Sequence, residues 1–201
     1  MIRILLAEDQ AMMRGALAVL LGLEDDLEVV AQVEDGADIV PTALRVRPDV
    51  ALLDIELPHV SGLEAAERLA TALPECRVVI VTTFARTGYL QRAMAAGAQG
   101  YLVKDAPVEG LADAIRRVAA GGTVVDPALA GAALRAPANP LTPREREVLA
   151  AAADGSTIAD IAGRVHLSPS TVRNYLSDAI AKTGTRNKTE AALLARDKGW
   201  L

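Results

Sequence analysis

Three acids, a hydroxyl and an ammonium stand at the downstream ends of short apolar runs. Glu8 and Asp9 follow Ile2–Ala7, Asp54 follows Val50–Leu53, Thr82 and Thr83 close a run that begins at Arg77, and Lys104 closes one that begins at Gln99. Three carboxylates gathered within a few ångströms repel one another unless a hard cation stands among them, and all-oxygen ligation of that type suits Mg²⁺. A metal and a nearby ammonium also neutralise the oxygens of an incoming phosphoryl group, so an aspartate can accept it as an acyl phosphate. In that chemistry Asp54 is the acceptor, Glu8, Asp9 and Asp54 hold the ion, Lys104 is the ammonium, and Thr82 donates its hydroxyl to the phosphoryl. Singly, each residue has a plainer role: acids help to open a helix, and a lysine before a helix is usually solvated. Their coincidence at four strand ends is what points to a site.

Such a cluster needs a scaffold that brings strand ends together. The apolar runs 2–7, 27–33, 49–54, 77–82 and 99–104 alternate with helical patterns near 10–22, 36–47, 61–73, 86–96 and 107–120. That alternation predicts an α/β domain with a doubly wound, five-stranded parallel sheet and right-handed crossovers. Sheets of this kind bind ligands outside the carboxyl ends of their strands. No glycine-rich loop follows the first strand, which argues against dinucleotide binding.

Gly121-Gly122 should end the fifth helix. The stretch 121–140 reads as a linker with room for one short helix opened by Asp126-Pro127, followed by the proline-rich 136–140. From Leu141 the pattern is wholly helical. Thr142-Pro143-Arg144-Glu145 is a capping box with proline at the first helical position, which marks the start of a second domain, 141–201. Ile158, Ile161, Ala162 and Val165 form one apolar face, a turn follows at His166-Leu167, and Ser168-Pro169 opens a longer helix with Val172, Leu176, Ala179 and Ile180 inward. A short helix, a tight turn and a second helix make a helix-turn-helix in a small all-α domain. The inward set leaves Arg173, Asn174 and Ser177 outward, able to hydrogen-bond base edges in a major groove. Ser168, Ser170 and Thr171 can meet a phosphate at the helix start, and Lys182, Arg186 and Lys188 add contacts to the DNA backbone.

Composition is consistent with this division. The net charge is −5, with −7 in residues 1–137 and +2 in 138–201, so only the second part has a balance suited to nucleic acid. A net +2 alone would not select DNA; the helix pattern does. The chain has one cysteine, Cys76, and no zinc-ligand spacing, which fits a reducing cytoplasm, and no uncharged stretch is long enough to insert in a membrane. Five aromatics leave the core to aliphatic and alanine packing.

Glu8-Asp9, Asp54 followed by Pro58 and Gly62, Thr82, and the run from Ala96 to Lys104 resemble the receiver domain of bacterial two-component response regulators over residues 1–120. The resemblance implies a flavodoxin-like fold, phosphorylation of Asp54 by a sensor histidine kinase, and the backbone carbonyl of Glu56 as a further Mg²⁺ ligand. It also implies a switch in which Thr82 turns toward the phosphoryl and Tyr101 follows inward. In receivers the residues matching Glu56 and Phe84 influence phosphoryl lifetime, and the helix carrying Met12 and Met13 commonly meets the kinase. His59 reads as an exposed loop residue.

The stretches 141–145, 161–162, 167–168, 171–173 and 187–191 resemble the output domain of the LuxR/NarL (FixJ) class. By that likeness 187–198 is a dimerisation helix, while Asp160 and Tyr175 stand where glutamate and histidine are more usual. TTFAR at 82–86, VRNYLSDAI at 172–180 and KGWL at 198–201 are similar to the DesR branch, whose kinases are membrane sensors and whose targets include lipid desaturation. The expected function is a phosphorylation-activated transcription regulator that forms a homodimer on promoter DNA. Two rivals remain on the sequence: a DNA-binding regulator independent of phosphorylation, and an aspartyl-phosphate phosphohydrolase, for which Asp54-Ile55-Glu56 is only a near match to the usual acid pair.

Overall fold

The computed structural model describes residues 1–83, 87–104, 108–134 and 139–201. Phe84 and Arg86, the expected first residues of the fourth and fifth helices (86 and 107), and Ala136-Pro137-Ala138 of the expected linker lie outside the described residues. The chain divides into two compact units, one built on the sheet and one of carboxyl-terminal helices.

The first unit is a parallel sheet wound by helices. Along the chain as far as Leu134 the elements are β1 (Ile2–Ala7), α1 (Ala11–Leu21), β2 (Leu27–Val33), α2 (Ile39–Val46), β3 (Val50–Leu53), α3 (Gly62–Ala72), β4 (Arg77–Thr82), α4 (Thr87–Ala95), β5 (Gly100–Val103), α5 (Val108–Ala119), β6 (Val124–Val125) and α6 (Pro127–Leu134). The strand order is β2-β1-β3-β4-β5-β6, with every pairing parallel. The order reverses beside β1, between β1 and β3, which is where a doubly wound sheet opens a crevice.

The sheet has one strand more than the sequence predicted. Val124-Val125 pairs with Gly100-Tyr101 and extends the sheet into the stretch expected to be linker. Two residues are too few to show a period, so no pattern announced them. The helix predicted over 36–47 is also divided, into a 3-10 turn at Gly36–Asp38 and α2. Pro41 has no N–H to donate back to Ala37, so the α-helical ladder cannot run through that point.

Period-2 alternation assigns the two faces. Ile4, Leu6, Val50, Leu52, Val79 and Val81 pack with Leu17 and Leu21 of α1 and Leu111, Ile115 and Val118 of α5. Leu5, Ala51, Leu53 and Ile80 alternate with these, all essentially inaccessible to solvent. Burying each such aliphatic side chain stabilises the fold by about 1.5–3 kcal/mol.

The second unit comprises α7 (Pro143–Ala151), α8 (Ile158–Arg164), α9 (Pro169–Thr183) and α10 (Lys188–Asp197). Each helix starts on a side chain that accepts an otherwise unpaired amide. Thr142 and Thr157 head capping boxes with Glu145 and Asp160, Ser168 accepts from Thr171, and Asn187 accepts from Glu190. Each cap contributes about 1 kcal/mol. Asp160, one of the two departures from the output-domain pattern, thus serves the start of α8. Gly184 ends α9 in the left-handed region, φ 67°. The core joins Val148 and Leu149, Ile161 and Ala162, Val172, Leu176 and Ala179, and Ala191 and Ala195, one group from each helix. Among the described residues no helix is long and apolar enough to cross a membrane.

Candidate functional site

Backbone bonds fix where the acids sit. The Asp54 N–H donates to the Ala7 carbonyl (3.0 Å) and the Glu8 N–H donates to Val33 (3.1 Å), so the ends of β1, β2 and β3 are tied together where the chain leaves the sheet. The Lys104 N–H donates to the Thr82 carbonyl (2.8 Å), which joins the ends of β4 and β5 in the same way.

On this platform the carboxylates of Glu8, Asp9 and Asp54 each offer an oxygen within 4.8 Å of the others. Glu8 and Asp54 are 1% and 6% exposed, whereas Asp9 faces solvent. The Lys104 ammonium, on a side chain 4% exposed, lies 2.6 Å from Glu8 Oε2 and 2.9 Å from Asp54 Oδ2. Asp54 Oδ1 accepts the Ile55 N–H at 2.7 Å. Burial alone would lower the Lys104 pKa, but the bonds to Glu8 and Asp54 outweigh it and hold the ammonium above its ordinary value. Two buried anions and one cation leave an excess negative charge, to which Asp9 adds.

That donor set fits Mg²⁺. Ligand oxygens on one ion lie at most about 4.2 Å apart, given bonds of about 2.1 Å, and oxygens that lie within 4.8 Å of one another are compatible with that requirement. Glu56 lies exposed two residues beyond Asp54. His59 is also exposed, with a left-handed backbone (φ 58°) and its Nδ1 on Asp35 Oδ2.

Thr82 and Tyr101 are both fully buried. β4 and β5 pair Ile80 with Tyr101 and Thr82 with Val103, so Thr82 and Tyr101 stand on one face of adjacent strands, diagonal to each other. On α1, Met12 is 89% exposed, while Met13 packs partly against the core. Cys76 is buried, and burial pushes its thiol pKa up to about 12.

In the second unit Arg173, Asn174 and Ser177 are exposed on α9. Among the described residues their side chains form no hydrogen bond or ion pair. Arg173 and Ser177 line an open groove of about 400 Å³ together with Arg186, Asn187 and Lys188. Ser168 Oγ contacts the hydroxyls of Ser170 (2.8 Å) and Thr171 (2.7 Å) at the helix start. The three basic residues expected to add phosphate contacts all have partners within the chain. Lys182 Nζ bonds both oxygens of the buried Glu145 (2.7 and 2.8 Å), Arg186 pairs with Glu190 at 2.7 Å, and Lys188 donates to the Ser156 carbonyl. Tyr175, the other departure from the output-domain pattern, packs partly against the helical core.

Sequence reasoning passed over Arg14 and Glu145. Arg14 grips the backbone of the acidic turn, and Glu145 is a buried carboxylate that ties α7 to α9. The sequence shows Glu145 only as half of a capping box. An acid at that place with a lysine on the next long helix is the signal that could have shown its second bond.

Comparison with known proteins agrees with both halves. Residues 4–116 match the response regulator receiver domain, and residues 139–195 match the bacterial regulatory proteins of the luxR family. The chain is 48% identical over 201 residues to the uncharacterized transcriptional regulatory protein YvfU of Bacillus subtilis (strain 168), covering all of both chains. It is also 48% identical over 200 residues to the transcriptional regulatory protein DesR of the same organism, covering 100% of this chain and 99% of that one. Among solved structures, the response regulator ChrA of a heme-sensing two-component system aligns with a TM-score of 0.59 and 32% identity, over 100% of this chain and 98% of that one. An acidic pocket on a doubly wound sheet, a helix-turn-helix, and full-length identity of this degree together place the chain in the LuxR family of two-component response regulators.

Proposed function

We propose that this protein is a cytoplasmic transcriptional regulator switched by phosphorylation of Asp54. The observation that carries the proposal is the Lys104 ammonium seated between Asp54 and Glu8, with Asp9 beside them at the end of the sheet. An Asp54 carboxylate oxygen forms the new bond to phosphorus as the bond from phosphorus to an imidazole nitrogen of a sensor histidine kinase breaks. Lys104 then moves its charge from Glu8 and Asp54 to the phosphoryl oxygens, and the Thr82 hydroxyl donates to the same group. Mg²⁺, held by Glu8, Asp9, Asp54 and the Glu56 carbonyl, would neutralise phosphoryl charge. The receiver residues thereby catalyse their own phosphotransfer, and water later hydrolyses the acyl phosphate. Exposed Met12, with Met13 beneath it, offers the kinase an adaptable apolar contact.

Because Thr82 and Tyr101 share a face of the sheet and both are buried, a turn of Thr82 toward the phosphoryl favours the inward placement that Tyr101 already has, which remodels the face of α4 and β5 and biases the receiver toward pairing with a second copy. Two output domains joined in this way bind half-sites about one helical turn apart, with affinity raised by avidity. Arg173, Asn174 and Ser177 read base edges, and the Ser168, Ser170 and Thr171 hydroxyls at the start of α9 meet a phosphate. Arg186 and Lys188 reach the DNA backbone by exchanging their present partners for phosphates. The assignment 1–120 receiver, 121–140 connector with its Val124-Val125 joined to the receiver sheet, and 141–201 output domain accompanies this reading. Control of membrane lipid genes is tested by a genomic binding footprint.

The chemistry is tested by incubating the full chain with acetyl phosphate and Mg²⁺ and measuring intact mass. Gain of one phosphoryl group, absent in Asp54→Asn, is the expected result. An equal gain in Asp54→Asn would refute Asp54 as acceptor.

A further inference from the structure

Two of the three pocket acids sit on the turn between β1 and α1, and one side chain holds that turn from below. Arg14 Nη1 donates to the Glu8 carbonyl at 2.6 Å and to the Asp9 carbonyl at 3.3 Å, while Nη2 reaches Glu34 Oε2 at 3.1 Å, just past the end of β2. The Arg14 side chain is 17% exposed and its bond to the Glu8 carbonyl is partly buried, whereas its Glu34 partner is 73% exposed. The Asp9 side chain has no hydrogen bond or ion pair among the described residues. Its placement therefore depends on the backbone that Arg14 fixes. Glu8 is held at its other end by Lys104 and by the Gln10 N–H (3.3 Å).

We infer that Arg14 is a positioning residue for the cation site, clamping the Glu8 and Asp9 carbonyls so that both carboxylates face Asp54. The inference rests on the Mg²⁺ reading above. A guanidinium suits the task because its N–H groups form a rigid fork that spans several acceptors, while a lysine ammonium is a single point on a flexible stem. Groups that orient metal ligands without touching the metal commonly change affinity about 10–100-fold when removed.

The test is Mg²⁺ titration of the full chain by isothermal calorimetry, with folding checked by circular dichroism. Arg14→Met should weaken Mg²⁺ binding about 10-fold or more. Arg14→Lys, which keeps the charge and loses the fork, should stay at least several-fold weaker than the unchanged protein. Glu34→Gln, which removes the exposed pair but keeps the carbonyl contacts, should bind within about two-fold of it. A folded Arg14→Met with unchanged Mg²⁺ affinity but a lower melting temperature would make Arg14 a structural staple only and overturn the inference. Full recovery in Arg14→Lys would also overturn it, and if Arg14→Met does not fold, Arg14→Lys alone decides. No Mg²⁺ binding by the unchanged protein would remove the cation site itself, an outcome separable from the other two.

Discussion

Lys104 stands closer to Glu8 than to Asp54, at 2.6 Å against 2.9 Å, so the pocket is held by a cation shared between two enclosed carboxylates. Removing the shared cation while both acids stay buried should be costly. Lys104→Met is expected to lose about 3–5 kcal/mol of stability in urea without divalent ions, part of which Mg²⁺ restores. An undiminished midpoint in chelator would show that Lys104 does not hold the acids. The pH dependence has a definite sign. The folded Lys104 pKa is raised, so its contribution is fully present below the unfolded value near 10.5 and is lost as pH rises through the folded value.

Gly62 opens α3 against the backbone of Asp54. A Cβ placed there would fall 1.9 Å from the Asp54 carbonyl oxygen and 2.8 Å from its carbon, and backbone cannot step aside as a flexible side chain can. Gly62→Ala should cost at least about 1–3 kcal/mol in thermal unfolding and slow phosphoryl uptake from acetyl phosphate. Uptake at the original rate would mean that Asp54 tolerates a displaced backbone.

In the second unit, burial opposes ionisation of Glu145, but its bonds to Lys182 and Thr142 prevail and hold its pKa below the ordinary value. A lowered folded pKa contributes stability above the unfolded value near 4.5, and that contribution is lost as pH falls through the folded value. The acid limb of helical unfolding, followed by circular dichroism between pH 6 and pH 2, should therefore flatten in Glu145→Gln.

DNA contacts separate by salt dependence. Arg173→Ala should cost about 1–3 kcal/mol on a specific site and relax preference at one base pair. Lys182, bonded to Glu145 at both oxygens, should act on DNA through the placement of α9. Lys182→Met is then expected to weaken binding without changing the slope of log affinity against log salt, whereas loss of a phosphate contact lowers that slope by about 1.

Sequence and structure agree most where a strand delivers a charged residue, because an apolar run ending in an acid needs a reason. β1, β2 and β4 begin and end where the apolar runs predict, and Glu8, Asp9, Asp54 and Lys104 meet. β6 was not legible, since Val124-Val125 gains its identity only by pairing with Gly100-Tyr101. Arg14 was missed for a related reason. An arginine on the first turn of a helix looks solvated until the turn folds beneath it, and its bonds to two carbonyls involve no side-chain pattern. The Lys182–Glu145 pair spans 37 residues and joins two helices, so charge patterning within either helix could not show it.

Chemistry at Asp54 is expected to change assembly and DNA affinity in the other domain. The direct measurement is a titration of beryllofluoride with Mg²⁺ into the full chain, read by light scattering for mass and by fluorescence anisotropy for binding to a promoter fragment. A monomer-to-dimer shift and at least about a ten-fold gain in DNA affinity, consistent with avidity, are expected, both absent in Asp54→Asn. Unchanged mass and unchanged affinity in the intact protein would contradict that expectation.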